Sequence, residues 1–392
     1  MEKIYYGRHS IDEEDIQAVV DCLRSGSLTQ GPKISEFEEA IANYVGAEYA
    51  VAVSSGTAAL HLAMLAAEIK TAAAVVTSPI TFAASSNAAL YIGARPVFSD
   101  VDKDTVNLSA EKLGETLKKT PKVEAVVPVH FSGLPCDMAA IKKQCSNFNT
   151  IIIEDAAQAL GANYPNGKKV GCCENSLMTI FSLHPVKSMT SGEGGVITTN
   201  DEKVYHKLLR LRSHGIIKTG DAYINPSAAE TDGVVNPWYY EMQELGFNYR
   251  ITDIQCALGL SQLRKLDDFV ERRRHLVQRY DDILSEIGFI SAAQQLGRNR
   301  SAHHLYPVLI DFNAIGISRA KLMNQLREQG IIAQVHHIPV PTHPYYQQKG
   351  FNMDSCPNAN SYYQQALSLP LYFDLTECQQ DHVLGVLKEI LP

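Results

Sequence analysis

The sequence predicts an α/β fold, a mainly parallel sheet covered on both faces by helices, with a smaller α+β C-terminal domain. Three observations predict it. Between residues 50 and 200 short β-branched apolar runs alternate with helical stretches, the pattern of strands buried on both faces. One long helical pattern then spans 253–285, and beyond it strand, helix, strand and helix patterns follow in turn. Finally, 392 residues exceed one ordinary small core and favour a large domain plus a smaller one. The expected boundaries are 1–250 for the large domain, 251–285 for a connecting helix and 286–392 for the small domain.

Each element has a local reason. The stretch after Ser10 reads as a helix with Ser10 as N-cap, Glu13 three residues later, and an apolar stripe of Ile11, Ile16, Val19, Val20 and Leu23. Gly26 ends it, and Leu28 to Pro32 form a turn. Ile34, Phe37, Ile41 and Tyr44 then repeat at helical spacing until Gly46. Strands are expected at Ala50 to Val53, Ala74 to Ser78, Ala125 to His130 and Thr150 to Asp155, with helices around 57–68, 82–92, 109–119 and 138–146. The long helix over 253–285 carries the charged run Arg272 to His275, expected on a solvated face. After it, His304 to Asp311 reads as a strand, Ser318 to Gly330 as a helix, Ile331 to Val340 as a strand, and 379–391 as the closing helix.

Composition removes several classes of function. With 45% apolar and 20% charged residues the chain is globular. Its net charge of −8 argues against a nucleic-acid partner, which requires a basic face. Any phosphate must be met locally. The 8 cysteines lack zinc-finger spacing, and the chain opens on a charged segment, so a reduced cytoplasmic setting is expected. Cys172 and Cys173 are expected to be buried structural thiols. No apolar run approaches the ~20 residues of a membrane span, and the sequons at Asn107 and Asn299 are chance matches.

Three segments that follow strands carry chemistry, where open α/β sheets bind ligands. In Ser54-Ser55-Gly56-Thr57 a strand passes through a glycine turn into a helix, whose first N–H groups can bind a phosphate; the same turn is also consistent with a tight turn alone. In Ile151 to Gln158, Glu154 and Asp155 end a run too apolar for unpaired charge. A protonated pyridine nitrogen would be a fitting partner for Asp155, and a helix cap is the other reading. In Met178 to Asn200, Lys187 sits on a loop between a strand and the glycine-rich return Gly192 to Gly195. There it can form a Schiff base with an aldehyde stacked above the sheet, or be a solvated loop lysine.

Phosphate turn, EDxAQ and SxHPxK followed by GEGG, in this order, resemble the DegT/DnrJ/EryC1/StrS aminotransferases, and the likeness extends from Leu28 through Gly246-FNYRITDIQCALG to Leu367-SLPLY. The resemblance implies a fold-type I pyridoxal-phosphate (PLP) transferase with a seven-stranded-type sheet. It implies Lys187 and Asp155 as catalytic residues, with Gly56, Thr57, Phe82, Gln158, Ser182 and Asn248 as further cofactor contacts. Phe82 would stack on the ring, Gln158 would lie near its hydroxyl, and Asn248 would come from the neighbouring subunit of a homodimer with shared sites. Tyr6, Leu28, Thr29, Gln334 and His336 would line a nucleotide-sugar site. Arg250 is a candidate for the donor carboxylate, and no metal is expected.

Within the family the stretches His304-LYPV, Gly330-IIAQVHHIPV and Leu367-SLPLY are similar to those of enzymes making UDP-4-amino-4,6-dideoxy-N-acetyl-β-L-altrosamine for pseudaminic acid. This implies amination of a UDP-linked 4-keto-6-deoxy-N-acetyl hexose with L-glutamate as donor. The chain departs from that group at His337, where Tyr is usual, and at Leu183, where Phe is usual. Three other readings stay open: another nucleotide-sugar 3- or 4-aminotransferase on a dTDP- or UDP-linked keto-sugar, a dehydratase of the same fold, which Lys187 counts against, and a PLP-binding regulator without turnover.

Overall fold

The computed structural model describes residues 3–218 and 223–391. Its centre is a seven-stranded sheet in the order Tyr49–Val53, Gly195–Thr199, Met178–Ser182, Ile151–Asp155, Val123–Val127, Ala74–Thr77 and Arg95–Phe98. All neighbours pair in parallel except Gly195–Thr199, which is antiparallel to both of its neighbours. Six strands therefore end on the same side. The sequence reading did not single out Arg95–Phe98, which contains Pro96; an edge strand tolerates a proline because one side of its backbone needs no ladder bond.

Successive strand side chains leave on opposite faces, and the core divides accordingly. Val51, Val53, Val75, Ile153, Ile180 and Ile197 join the helix Gly56–Ala66 in one apolar cluster. Ala50, Ala52, Val76, Ile152, Phe181 and Val196 join Phe37, Ile41 and Ile141 in the other. Both faces are covered, so the strands can be apolar throughout. The helices Gly56–Ala66, Ala84–Tyr91, Ala110–Lys119 and Met138–Ser146 stand where expected. A third cluster joins Leu276, Val277 and Tyr280 to Tyr306, Val308, Leu326, Leu367 and Leu384, and takes in Ile4, whose short strand pairs with Ile331–Ile332. Tyr306–Ile310 is flanked by Ile290–Ala292 and Ala366–Leu369 in a three-stranded antiparallel sheet.

Several expectations need correction. The first helix is Glu13–Arg24, and its N-cap is Asp12, which exchanges hydrogen bonds with Asp15 in a capping box; Ser10 instead donates to Asp374. The helix also turns differently. Asp15 and Cys22 face inward, while Ile16 and Leu23 are 47% and 53% exposed, because Lys265 and Gln262 wait beneath the helix for the Asp15 carboxylate at 2.6 and 2.7 Å. A charge partner outweighs a modest apolar stripe.

The long helix is two helices, Asp253–Arg264 and Leu266–Leu284, broken at Lys265, whose amine is held by Asp12 and Asp15. The basic run is not solvated throughout. Arg273 is 2% exposed and donates to the carbonyl of Leu371, and burial pushes its guanidinium down to about 10. Of the expected strand Ile331 to Val340, only Ile331–Ile332 forms a ladder; Gln334 adds one bridge to Ser368. Seven of the eight free cysteines are buried. Burial pushes the Cys173 thiol up to about 12, as suits a structural thiol. Asn107 is buried with its amide on the Leu134 carbonyl. Among the described residues no helix is long and apolar enough to cross a membrane.

Candidate active site

At the shared strand ends several of the predicted residues lie close together. Ser55 caps the helix Gly56–Ala66 by accepting from Ala58 N–H, which leaves the N–H groups of the first turn pointing outward. Gly56 lets the turn approach closely: a Cβ there would be crowded, 3.0 Å from the Ser182 Cβ and 3.3 Å from its Oγ. Turn and strand end thus form one cradle of small residues. The backbone carbonyl of Tyr249 accepts from Ser54 N–H, and Arg250 bridges Val53, so the segment carrying Asn248 runs beside the turn.

Ile151–Asp155 delivers two carboxylates to opposite faces. Glu154 enters the core, where it accepts from Tyr164, Ser176, Thr179 and His130, the last at 2.8 Å. His130 Nδ1 accepts the Cys136 N–H, so the ring donates to Glu154 through Nε2. Burial alone would raise the Glu154 carboxyl, yet these donors hold it below the usual range. Asp155 faces the site. One oxygen accepts from Ala157 N–H at 3.1 Å and the other from Ser85 Oγ, so the turn after the strand and a hydroxyl the sequence reading missed orient it. The missed signal was the pair Thr81 and Ser85 one helical turn apart, whose hydroxyls are 2.6 Å from each other.

Lys187 lies on the loop after Met178–Ser182, with its N–H on the His184 carbonyl. Burial pushes its ammonium down to about 8, and Asp155 partly offsets this. A desolvated lysine near neutrality is a competent nucleophile and proton carrier. Around it stand imidazoles kept uncharged: burial and Lys187 hold His336 down to about 3, and His304 and His337 fall well below the usual range, first through burial. His336 pairs with Ser368 Oγ at 2.9 Å and packs 5.0 Å from the Tyr6 ring. Phe82 is 66% exposed, its ring 6.5 Å from His337, and Gln158 contacts His337.

The expected substrate residues are thus gathered only in part. Tyr6 and His336 join the lysine group. Gln334 is exposed beside it. Leu28 and Thr29 sit on a turn tied to the helix Asp253–Arg264 through the Thr29 bridge to Thr252 and the Leu28 carbonyl on Asp253 N–H. Among the described residues, no hydrogen bond or ring contact joins Leu28, Thr29 or Asn248 directly to the lysine group. No cluster of three or more His, Cys, Asp or Glu is placed to hold a metal ion among the described residues.

A desolvated amine across from an oriented carboxylate, with a small-residue cradle at a helix N-terminus, makes a site for amine chemistry on a carbonyl compound beside a phosphate. The chain belongs to the DegT/DnrJ/EryC1/StrS aminotransferase family, whose sequence pattern matches residues 9–388. It is 36% identical over 99% of its length, and 97% of the relative's, to UDP-4-amino-4,6-dideoxy-N-acetyl-beta-L-altrosamine transaminase of Campylobacter jejuni. Helicobacter pylori PseC, an aminotransferase involved in the biosynthesis of pseudoaminic acid, superposes with a TM-score of 0.89 and 29% identity, covering 100% of this chain and 99% of that one. Spr1654 of Streptococcus pneumoniae, a sugar aminotransferase by its description, superposes in its PLP form with a TM-score of 0.86 and 28% identity over 99% and 98% of the two chains. The fold is thus the fold-type I transferase architecture expected from the sequence.

Proposed function

We propose that the chain is a PLP-dependent nucleotide-sugar aminotransferase, taking the amino group of L-glutamate to a UDP-linked 4-keto-6-deoxy-N-acetyl hexose. The observation that carries this reading is the lowered Lys187 amine coupled to Asp155, in a chain of this family. The residues fit the cofactor: Gly56, Thr57 and Ser182 would take its phosphate where a Cβ at Gly56 would be crowded, Asp155 would meet its ring nitrogen, and Phe82 would cover its face. Bound there, PLP supplies an electron sink and a carrier for the amino group.

The chain's own residues do the rest. Lys187 Nζ, poised near neutrality, takes a proton from the substrate carbon and returns it, as base and then acid. Asp155, fixed by Ser85 and Ala157, holds a proton on the ring nitrogen. The phosphate cradle sets the distance between the amine and the reacting carbon. Tyr6, Leu28, Thr29, Gln334 and His336 would line the sugar side. Exposed Ile16, Leu23, Trp238 and Met242 support a homodimer, in which Asn248 and Arg250 would serve the neighbouring site. The free thiols support a cytoplasmic setting.

His337 and Leu183, which stand where the altrosamine-forming group carries Tyr and Phe, favour a second reading in which the sugar is another dTDP- or UDP-linked 3- or 4-keto compound. Incubating the PLP-loaded protein with L-glutamate and a panel of such sugars, with products read by mass and NMR, separates the two. The expected outcome is a 4-amino UDP-sugar and 2-oxoglutarate, both lost in Lys187→Ala. Normal turnover by Lys187→Ala would overturn the reading.

A further inference from the structure

His337, which the sequence reading did not place in the site, belongs to a chain of contacts that ends at the lysine group. Gln158 Oε1 accepts the backbone N–H of Ser132 at 2.6 Å. A backbone N–H can only donate, so this contact fixes which end of the amide faces Ser132. The amide nitrogen points the other way and lies 3.3 Å from His337 Nε2. Because an amide NH2 can only donate, Nε2 is the bare, accepting nitrogen and the ring proton sits on Nδ1. One amide hydrogen of Gln158 is thereby engaged, and one remains.

Both anchors are fixed. Ser132 is fully buried in the left-handed region at φ 60°, an arrangement that persists only where neighbours over-determine it. Here its carbonyl accepts from His304 N–H at 2.9 Å and its hydroxyl donates to the Leu305 carbonyl at 2.8 Å. Next to it, Gly133 has no room for a side chain, since a Cβ would lie 2.9 Å from the Gln158 carbonyl oxygen. The His337 ring is wedged among Phe131 at 6.3 Å, Phe82 at 6.5 Å and His336 at 5.0 Å. Burial, His336 and Lys187 all disfavour a charge on it, which keeps Nε2 an acceptor.

We propose that His337 is a positioning residue of the Lys187 site, gripping the Gln158 amide with Ser132 so that the remaining amide N–H is held for the cofactor. This rests on the proposed PLP function, in which Gln158 lies beside the ring hydroxyl. His337 acts through Gln158 and not on the reacting atoms. The tyrosine that the altrosamine-forming group usually carries would offer a phenolic oxygen in place of the ring nitrogen, so the acceptor presented to Gln158 differs in this chain.

The test is a double-mutant cycle read as the PLP dissociation constant of the reconstituted protein by equilibrium dialysis. His337→Phe should weaken PLP binding about two- to tenfold, the range for one neutral hydrogen bond. His337→Gln, which can place an acceptor oxygen near the position of Nε2, should restore it. In a Gln158→Ala background His337→Phe should add nothing. Losses that multiply in the double variant, or a His337→Phe constant within about 1.5-fold of the parent in this scheme, overturn the proposal. Should His337→Phe not fold, His337→Ala completes the same cycle. Failure of the unaltered chain to take up PLP sinks the functional reading and this inference together, whereas uptake with independent effects sinks the inference alone.

Discussion

Replacing Lys187 by Met should stabilise the cofactor-free protein, although it abolishes turnover. The amine ordinarily titrates at 10.5 and is pushed to about 8 here, mainly by burial. At about 1.36 kcal/mol per tenfold change in proton affinity, that drop corresponds to ~3 kcal/mol. Lys187 is only half-buried, so solvent screening reduces the expected gain to about 1–3 kcal/mol. The sign follows from proton linkage. Between pH 8 and 10.5 the unfolded chain holds the proton that the folded chain has lost, so the parent gains stability as pH rises through that window. Below it both states are charged and the full burial cost remains; above it both are neutral and the cost is gone. Methionine never has this cost. Urea denaturation of both cofactor-free proteins at a series of pH values should show Met more stable at pH 7, with the advantage fading toward pH 10.5. Other titrating groups cancel in the difference between the two curves. A variant no more stable at pH 7, or an advantage that does not shrink with pH, would refute a lysine desolvated by the fold.

Two further outcomes follow from the same geometry. Asp155→Ala should cut kcat by two to four powers of ten, because losing one partner of a buried charge contact costs on the order of 3–5 kcal/mol; a change under about threefold, well below that range, would mean Asp155 does not meet the ring. Asp253→Ala should cost about 3–6 kcal/mol of stability in denaturant unfolding, since its buried carboxylate accepts from Gly31 N–H at 2.8 Å and Lys33 N–H at 3.0 Å and such charge-assisted bonds are worth about 1.5–3 kcal/mol each. An unchanged midpoint would show that the start of the helix Pro32–Val45 is held by other contacts.

The large sheet was legible because its strands are buried on both faces, so Ala50 to Val53 and Thr150 to Asp155 announce themselves as unbroken apolar runs. The site was legible for a related reason. A charge at the end of such a run, as in Asp155, is costly unless chemistry or a partner keeps it, whereas Lys187, on a loop where a solvated lysine is ordinary, was singled out by the motif around it. Gly56 was less readable, since a glycine between strand and helix serves a tight turn equally well. Polar contacts between distant segments were not readable. Asp15 faces inward only because Lys265 and Gln262, some 250 residues later, supply its partners, and nothing near Ile16 or Leu23 records that.

The same limit accounts for Arg273 and His337. Arg273 sits in a run that reads as solvated, and becomes a core residue because the Leu371 carbonyl, left without a ladder partner, needs a donor there. His337 reads as part of a strand that does not form, because only Ile331–Ile332 finds a partner, and that partner is the N-terminal Ile4–Tyr5. Once the strand ends, the chain is free to turn two imidazoles toward the lysine. A buried charge such as Asp155 is thus constrained by its own chemistry and can be read locally. Residues that hold the site in place are constrained by which segments meet, so Ser85, Ser132 and His337 became visible only with the folded chain.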